Sequence, residues 1–108
     1  MIRADAVPDG QSVGFAADES GQDTMFAVRR GNDLYVYRNS CPHVGGPLAW
    51  RKDRYLNHDG TLIVCFAHGA EFEIETGRCI RGPCLGESLQ AVACEIDAQG
   101  RLRLGGNP

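Results

Sequence analysis

Four side chains in this chain stand in two short thiol–imidazole pairs. Cys41-Pro42-His43 separates the two groups by one residue, and Cys65-Phe66-Ala67-His68 separates them by two. Glycines follow each pair, Gly45-Gly46 after the first and Gly69 after the second. Two thiolates and two neutral imidazoles can hold a tetrahedral zinc. Zinc fingers, however, begin with two cysteines, whereas both halves here are mixed. A mixed pair on each of two loops suits a centre of two inequivalent metals. In such a centre one iron could take both thiolates and the other both imidazoles, the arrangement in which two histidines replace two cysteines on one iron of an iron–sulfur centre.

Such pairs need rigid elements to present them, and the sequence offers short strands. Residues 24–30 and 33–38 are rich in β-branched and aromatic residues. Gly31-Asn32 between them marks a tight hairpin. Residues 12–17 form a weaker opening strand, and residues 62–66 are an apolar run entered through Asp59-Gly60. Residues 71–75 and 78–81 flank Thr76-Gly77, a further hairpin that Gly82-Pro83 ends. Residues 85–96 are ambiguous: Leu85, Leu89 and Val92 fall at helical spacing, while Val92, Cys94 and Ile96 alternate. Residues 101–104 read as a closing edge strand. The irregular stretch 39–61 carries Cys, His, Pro, Gly and Trp, and a loop of that length in a compact domain is usually functional or disordered. The fold class is all-β, built of short antiparallel strands.

The two pairs and their flanks resemble Rieske-type [2Fe-2S] ferredoxins of the low-potential, oxygenase-associated kind. Residues 39–48, Asn-Ser-Cys-Pro-His-Val-Gly-Gly-Pro-Leu, are similar to the first cluster loop of that family. Residues 65–78 are similar to the second, and Gly82-Pro83 to its proline segment near the cluster. The resemblance runs from about Thr24 to Leu104. It implies a fold of small stacked sheets with two cluster-binding loops, and one [2Fe-2S] cluster per chain. Cys41 and Cys65 would bind the inner iron, and His43 and His68 the outer iron through a ring nitrogen. Chain length adds the expectation of a single domain over 1–108, and the resemblance places its cluster-binding subregion at about 39–83.

The sequence departs from the family in several places. The interval between the pairs is longer than usual, around residues 50–57. Respiratory Rieske proteins clamp their loops with a disulfide, but Gly46 and Ala67 occupy the matching positions. Ala70 and Phe72 replace the serine and tyrosine whose hydroxyls point toward the cluster in those proteins. Hydrogen bonds to cluster sulfur raise the potential, so their loss places this centre at the low end of the Rieske range.

Composition narrows the function further. The chain has 108 residues, enough for one domain and one ordinary core, and too few for an oxygenase's mononuclear-iron domain as well. Its net charge is −3, with no basic stripe for nucleic acid. The N-terminal residues lack a secretory pattern, and no apolar run is long enough to cross a bilayer, so a cytoplasmic location is expected. Five cysteines, an odd number, then point to metal ligands or free thiols. Cys79, Cys84 and Cys94 read as small buried hydrophobes, with a Cys79/Cys84 redox pair the sharper alternative. His58 reads as a turn residue, Trp50 as packing, and residues 51–54 as a solvated charged face or a docking patch.

The resemblance implies an electron-transfer protein rather than an enzyme, a component of an oxygenase or reductase system. Its expected partners are a flavin-dependent reductase and an oxygenase or other redox acceptor, with no nucleic acid or membrane. The competing readings are a small Rieske subunit of a larger oxidoreductase, such as a nitrite reductase, and a zinc-stabilised interaction module.

Overall fold

The structure is a computed structural model that describes residues 2–42, 46–49 and 51–104. Among the described residues, a 3-10 turn at Ala4–Ala6 is followed by eight strands: β1 (Ser12–Ala17), β2 (Asp23–Arg30), β3 (Asp33–Arg38), β4 (Leu62–Cys65), β5 (Ala70–Glu73), β6 (Cys79–Arg81), β7 (Cys94–Ile96) and β8 (Leu102–Leu104). They form two three-stranded antiparallel sheets, β1-β2-β3 and β4-β5-β6, and the hairpin β7-β8. The all-β expectation holds. Among the described residues, no helix is long and apolar enough to cross a membrane.

Side-chain alternation along β2 and β3 decides where the apolar groups go. Phe26, Val28 and Tyr37 enter the larger core with Leu48, Tyr55, Ile63, Phe72 and Ile74, whereas Ala27 and Val36 turn the other way, toward Val7, Phe15 and Leu102. The first sheet is thus covered on both faces. This corrects the expectation of a single core: the chain's N-terminal segment and β8 close a second, smaller apolar layer behind the sheet. The larger cluster contains Cys41 and Cys65, so the residues that could bind metal are anchored in its wall.

Of the ambiguous stretch 85–96, residues 94–96 form β7, as the alternation of Cys94 and Ile96 suggests, whereas 85–93 are neither strand nor helix. The Arg38 N–H donates to the Gln90 carbonyl (2.9 Å), and the Leu89 N–H to the Gly77 carbonyl (2.8 Å). The segment is held by partners distant in sequence rather than by a period of its own.

Two core tyrosines make stability depend on alkaline pH. Tyr55 stacks on Phe26 with centroids 4.3 Å apart, and the Tyr37 hydroxyl donates to the Ile74 carbonyl at 2.5 Å. Burial, with smaller contributions from Tyr35 and Glu75, pushes the Tyr37 phenol up to about 12. Burial, with Asp23 and Asp53, pushes Tyr55 up to about 12. A folded-state value raised above the unfolded one gives stability that is complete below the unfolded value of 10.0 and lost as pH rises toward 12. Denaturant midpoints should therefore fall as pH rises between those values. In Tyr37→Phe and Tyr55→Phe the fall should be shallower, and an unchanged pH profile in both would contradict the assignment.

Candidate metal centre

The two loops that carry the cysteine–histidine pairs are fastened to each other by backbone and amide groups. The first leaves β3 through Asn39, a buried residue whose side chain works in both directions. Its amide N–H donates to the Asp23 carbonyl (2.8 Å), and its amide oxygen accepts from the Leu48 N–H (2.9 Å). The Cys41 N–H donates to the Gly46 carbonyl at 2.8 Å, closing the loop on itself. The Phe66 N–H of the second loop donates to the Leu48 carbonyl at 2.8 Å. This bond ties the two loops together without a disulfide, and all five cysteines here are free thiols. Asn39 is thus a positioning residue that its place beside the motif did not reveal, because its partners lie 9 and 16 residues away.

The second loop begins where β4 ends. Cys65 is fully buried and pairs in register with Ala70 across the turn. Gly69, at φ +76°, closes that turn by donating its N–H to the Cys65 carbonyl at 2.7 Å. The N–H groups aimed at sulfur belong to Ala67 and His68, which hydrogen-bond Cys65. Gly69 makes the turn that aims them and is not itself the donor. Burial first, and then the Cys41 thiol, push the Cys65 thiol up, while these two N–H groups pull it back down.

The ligand atoms of Cys41, Cys65 and His68 lie within 4.8 Å of one another. Cys65 Sγ is 3.8 Å from His68 Nδ1, so the ring presents this nitrogen to the thiol. Both cysteines are buried and His68 is exposed. His43 lies outside the described residues, as do Gly45 and Trp50. The structure thus brings together three of the four expected ligands. Two soft thiolate donors beside an imidazole on a solvent-facing loop fit iron–sulfur chemistry as a donor set.

The proline segment packs onto this centre. Gly82 sits at φ +102°, and a Cβ there would come within 2.7 Å of the Ala70 Cα. Just beyond, Cys84 is fully buried, and its S–H donates to Cys79 Sγ at 3.5 Å. Burial, with Cys79 and Cys41, pushes the Cys84 thiol up to about 12. Ala70 and Phe72 are both fully buried and offer no hydroxyl.

The remaining singled-out residues divide. His58 is an exposed turn residue. Residues 51–54 are not simply a solvated face. The Lys52 ammonium donates to Asp23 Oδ2 (2.7 Å) and the Gly14 carbonyl (3.1 Å), and Asp53 Oδ1 accepts from the Gly14 N–H (2.7 Å). These bonds staple the long loop to β1 and β2. Arg51 and Arg54 instead line a groove with Leu56, His58 and Phe66, beside the second loop.

Residues 1–95 match the family of the Rieske [2Fe-2S] domain. The chain belongs to this family. The Rieske domain's cofactor is a [2Fe-2S] cluster, and the donors gathered here suit it. The fold is that of solved Rieske ferredoxins. The ferredoxin of carbazole 1,9a-dioxygenase from Nocardioides aromaticivorans IC177 is 24% identical, with a TM-score of 0.71 over 97% of this chain and 93% of that one. The Sphingomonas yanoikuyae B1 ferredoxin is 22% identical, with a TM-score of 0.73 over 99% and 96%. The terminal oxygenase of the Nocardioides dioxygenase is 17% identical, with a TM-score of 0.72; this chain is covered to 99%, and that chain to 30%. No curated protein sequence matches the chain.

Proposed function

We propose that this Rieske domain is a one-electron carrier that takes an electron from a flavin-dependent reductase and passes it to an oxygenase. It performs no substrate chemistry itself. The observation that carries this reading is the convergence of Cys41, Cys65 and His68 at a surface loop, with the thiols inside and the imidazole outside. Cys41, His43, Cys65 and His68 are the proposed ligands, within one domain over residues 1–108 and a cluster-binding region of about 39–83.

Once bound, the cluster supplies a one-electron redox couple. The chain's own residues hold, tune and expose it. The Asn39 and Leu48–Phe66 hydrogen bonds keep the two loops in register, so little reorganisation accompanies a change of charge. Ala67 and His68 N–H groups offset part of the negative charge on the Cys65 sulfur. Phe66 and Leu85, 45% and 67% exposed, give the face near the loops apolar contact area, with Arg51 and Arg54 at the adjacent groove. A small apolar and charged face suits brief docking rather than a permanent interface. One solved structure of this fold is a complex of reduced oxygenase and oxidised ferredoxin in carbazole 1,9a-dioxygenase, which supports an oxygenase as the acceptor class.

Rieske centres span about −150 to +300 mV. With Ala70 and Phe72 in place of hydroxyl donors, the midpoint potential at neutral pH should lie below zero. Potentiometric titration checks this, and a value well above zero contradicts it. The carrier reading also requires the protein to purify by itself and take up one electron per chain. Isolation in equal amounts with a large redox subunit would replace it with the small-subunit reading.

A further inference from the structure

We propose that Cys79 and Cys84 are a reversible disulfide site, a dithiol that a low-molecular-weight disulfide oxidises to a clasp on the proline segment. Neither sulfur is a proposed metal ligand, so this modification site stands apart from the iron–sulfur reading.

Glu87 holds the two cysteine backbones side by side. The Cys79 N–H donates to the Glu87 carbonyl at 2.9 Å, and the Glu87 N–H donates to the Cys84 carbonyl at 2.9 Å. The Cys84 S–H donates to Cys79 Sγ at 3.5 Å, and the Cys79 S–H to the Arg81 carbonyl at 3.2 Å. An S–S bond is about 2.05 Å long, so the sulfurs must close by roughly 1.5 Å, a distance that side-chain rotation can supply. Oxidation removes both thiol protons together and orphans no buried donor, and the carbonyl it releases belongs to Arg81, an exposed residue. Each cysteine also lies one residue from the surface, since Ile80 is 38% and Leu85 67% exposed. Cys94 is remote from the pair, against the smaller core.

The exchange balances in two steps. One thiol loses its proton and attacks the small disulfide, giving a mixed disulfide and one small thiol. The second thiol then loses its proton and displaces the other small thiol. The dithiol gives up two protons and two electrons, and the small disulfide becomes two thiols. Burial, with Cys79 alongside, pushes the Cys84 thiol up to about 12, so thiolate is scarce and the exchange is slow. The product closes a ring around Gly82, which lies on Ala70, the residue paired with Cys65. The clasp thus holds the proline segment on the second loop.

Freshly purified protein is equilibrated with oxidised and reduced glutathione, quenched in acid, alkylated and mapped by peptide mass spectrometry. Cutting after Arg81 and Glu87 places Cys79, Cys84 and Cys94 on three separate peptides. Under oxidising ratios the Cys79 and Cys84 peptides should be joined, and excess reduced glutathione should part them. The oxidised protein should melt about 5 °C or more above the reduced one. Cys84→Ser should lose both the link and the difference in Tm, and Cys94→Ser should keep both. A map without the Cys79–Cys84 link overturns the proposal, as does one that joins either residue to Cys41, Cys65 or Cys94. A link that leaves Tm unchanged or lowers it overturns the clasp. If Cys84→Ser fails to fold, the wild-type map and melting shift decide by themselves. Wild-type protein without iron would defeat the iron–sulfur reading, a separate result, and its Cys79–Cys84 link is mapped in the same way.

Discussion

Cys65→Ser should yield a folded, colourless protein that retains less than roughly a tenth of the wild-type iron, since a hydroxyl is a poor substitute for a thiolate at such a site. Cys65 ends β4, is fully buried, and has its sulfur within reach of Cys41, His68 and two backbone N–H groups. Serine keeps nearly the same shape, so the β4–β5 pairing can persist while the donor is lost. The control is Cys94→Ser. Cys94 is half-buried on β7 and packs against the smaller core behind the first sheet. Its iron content should equal wild type. Circular dichroism and iron analysis of both variants check this pair of results. Full iron in Cys65→Ser would remove Cys65 from the ligand set.

Gly82→Ala should be the most damaging single change outside the ligands. Two penalties coincide at this position. The backbone sits at φ +102°, where a side chain is strained, and the added Cβ would meet the Ala70 Cα at 2.7 Å. That neighbour is main chain, paired in register with Cys65, and cannot swing aside. The proline segment must lift off the second loop, carrying Cys84 with it. A loss of about 3 kcal/mol is expected from strain and forced displacement together. For a domain near this size that lowers Tm by more than about 10 °C. Gly46→Ala is the comparison, since a Cβ there meets nothing within 4 Å. Thermal unfolding of the two variants checks the contrast, and equal Tm values would contradict the packing described.

Local pattern and long-range fixing divide what the sequence reveals. β2 and β3 were legible because Phe26 and Val28 alternate with Ala27, and Tyr37 with Val36, as a sheet requires. The cysteine–histidine pairs were legible because ligand chemistry demands particular residue types at short spacing. Residues 85–93 were not, because their conformation is set by hydrogen bonds to Arg38 and Gly77, and no period encodes a distant partner. The same reason hid the role of Asn39 and turned Lys52 and Asp53 from apparent surface charges into a staple on Gly14 and Asp23. The second core layer was missed because an argument from chain length counts domains, not the faces of a sheet. Cys84 read as a small hydrophobe, which its burial supports, and only the structure brings its sulfur beside Cys79.

Iron and acid-labile sulfide analysis of freshly purified protein, with EPR of the dithionite-reduced form, tests the central claim most directly. The account predicts two irons and two sulfides per chain, as the [2Fe-2S] family requires, with a low-average-g signal from mixed histidine and cysteine ligation. A colourless protein holding stoichiometric zinc and giving no signal on reduction would contradict it.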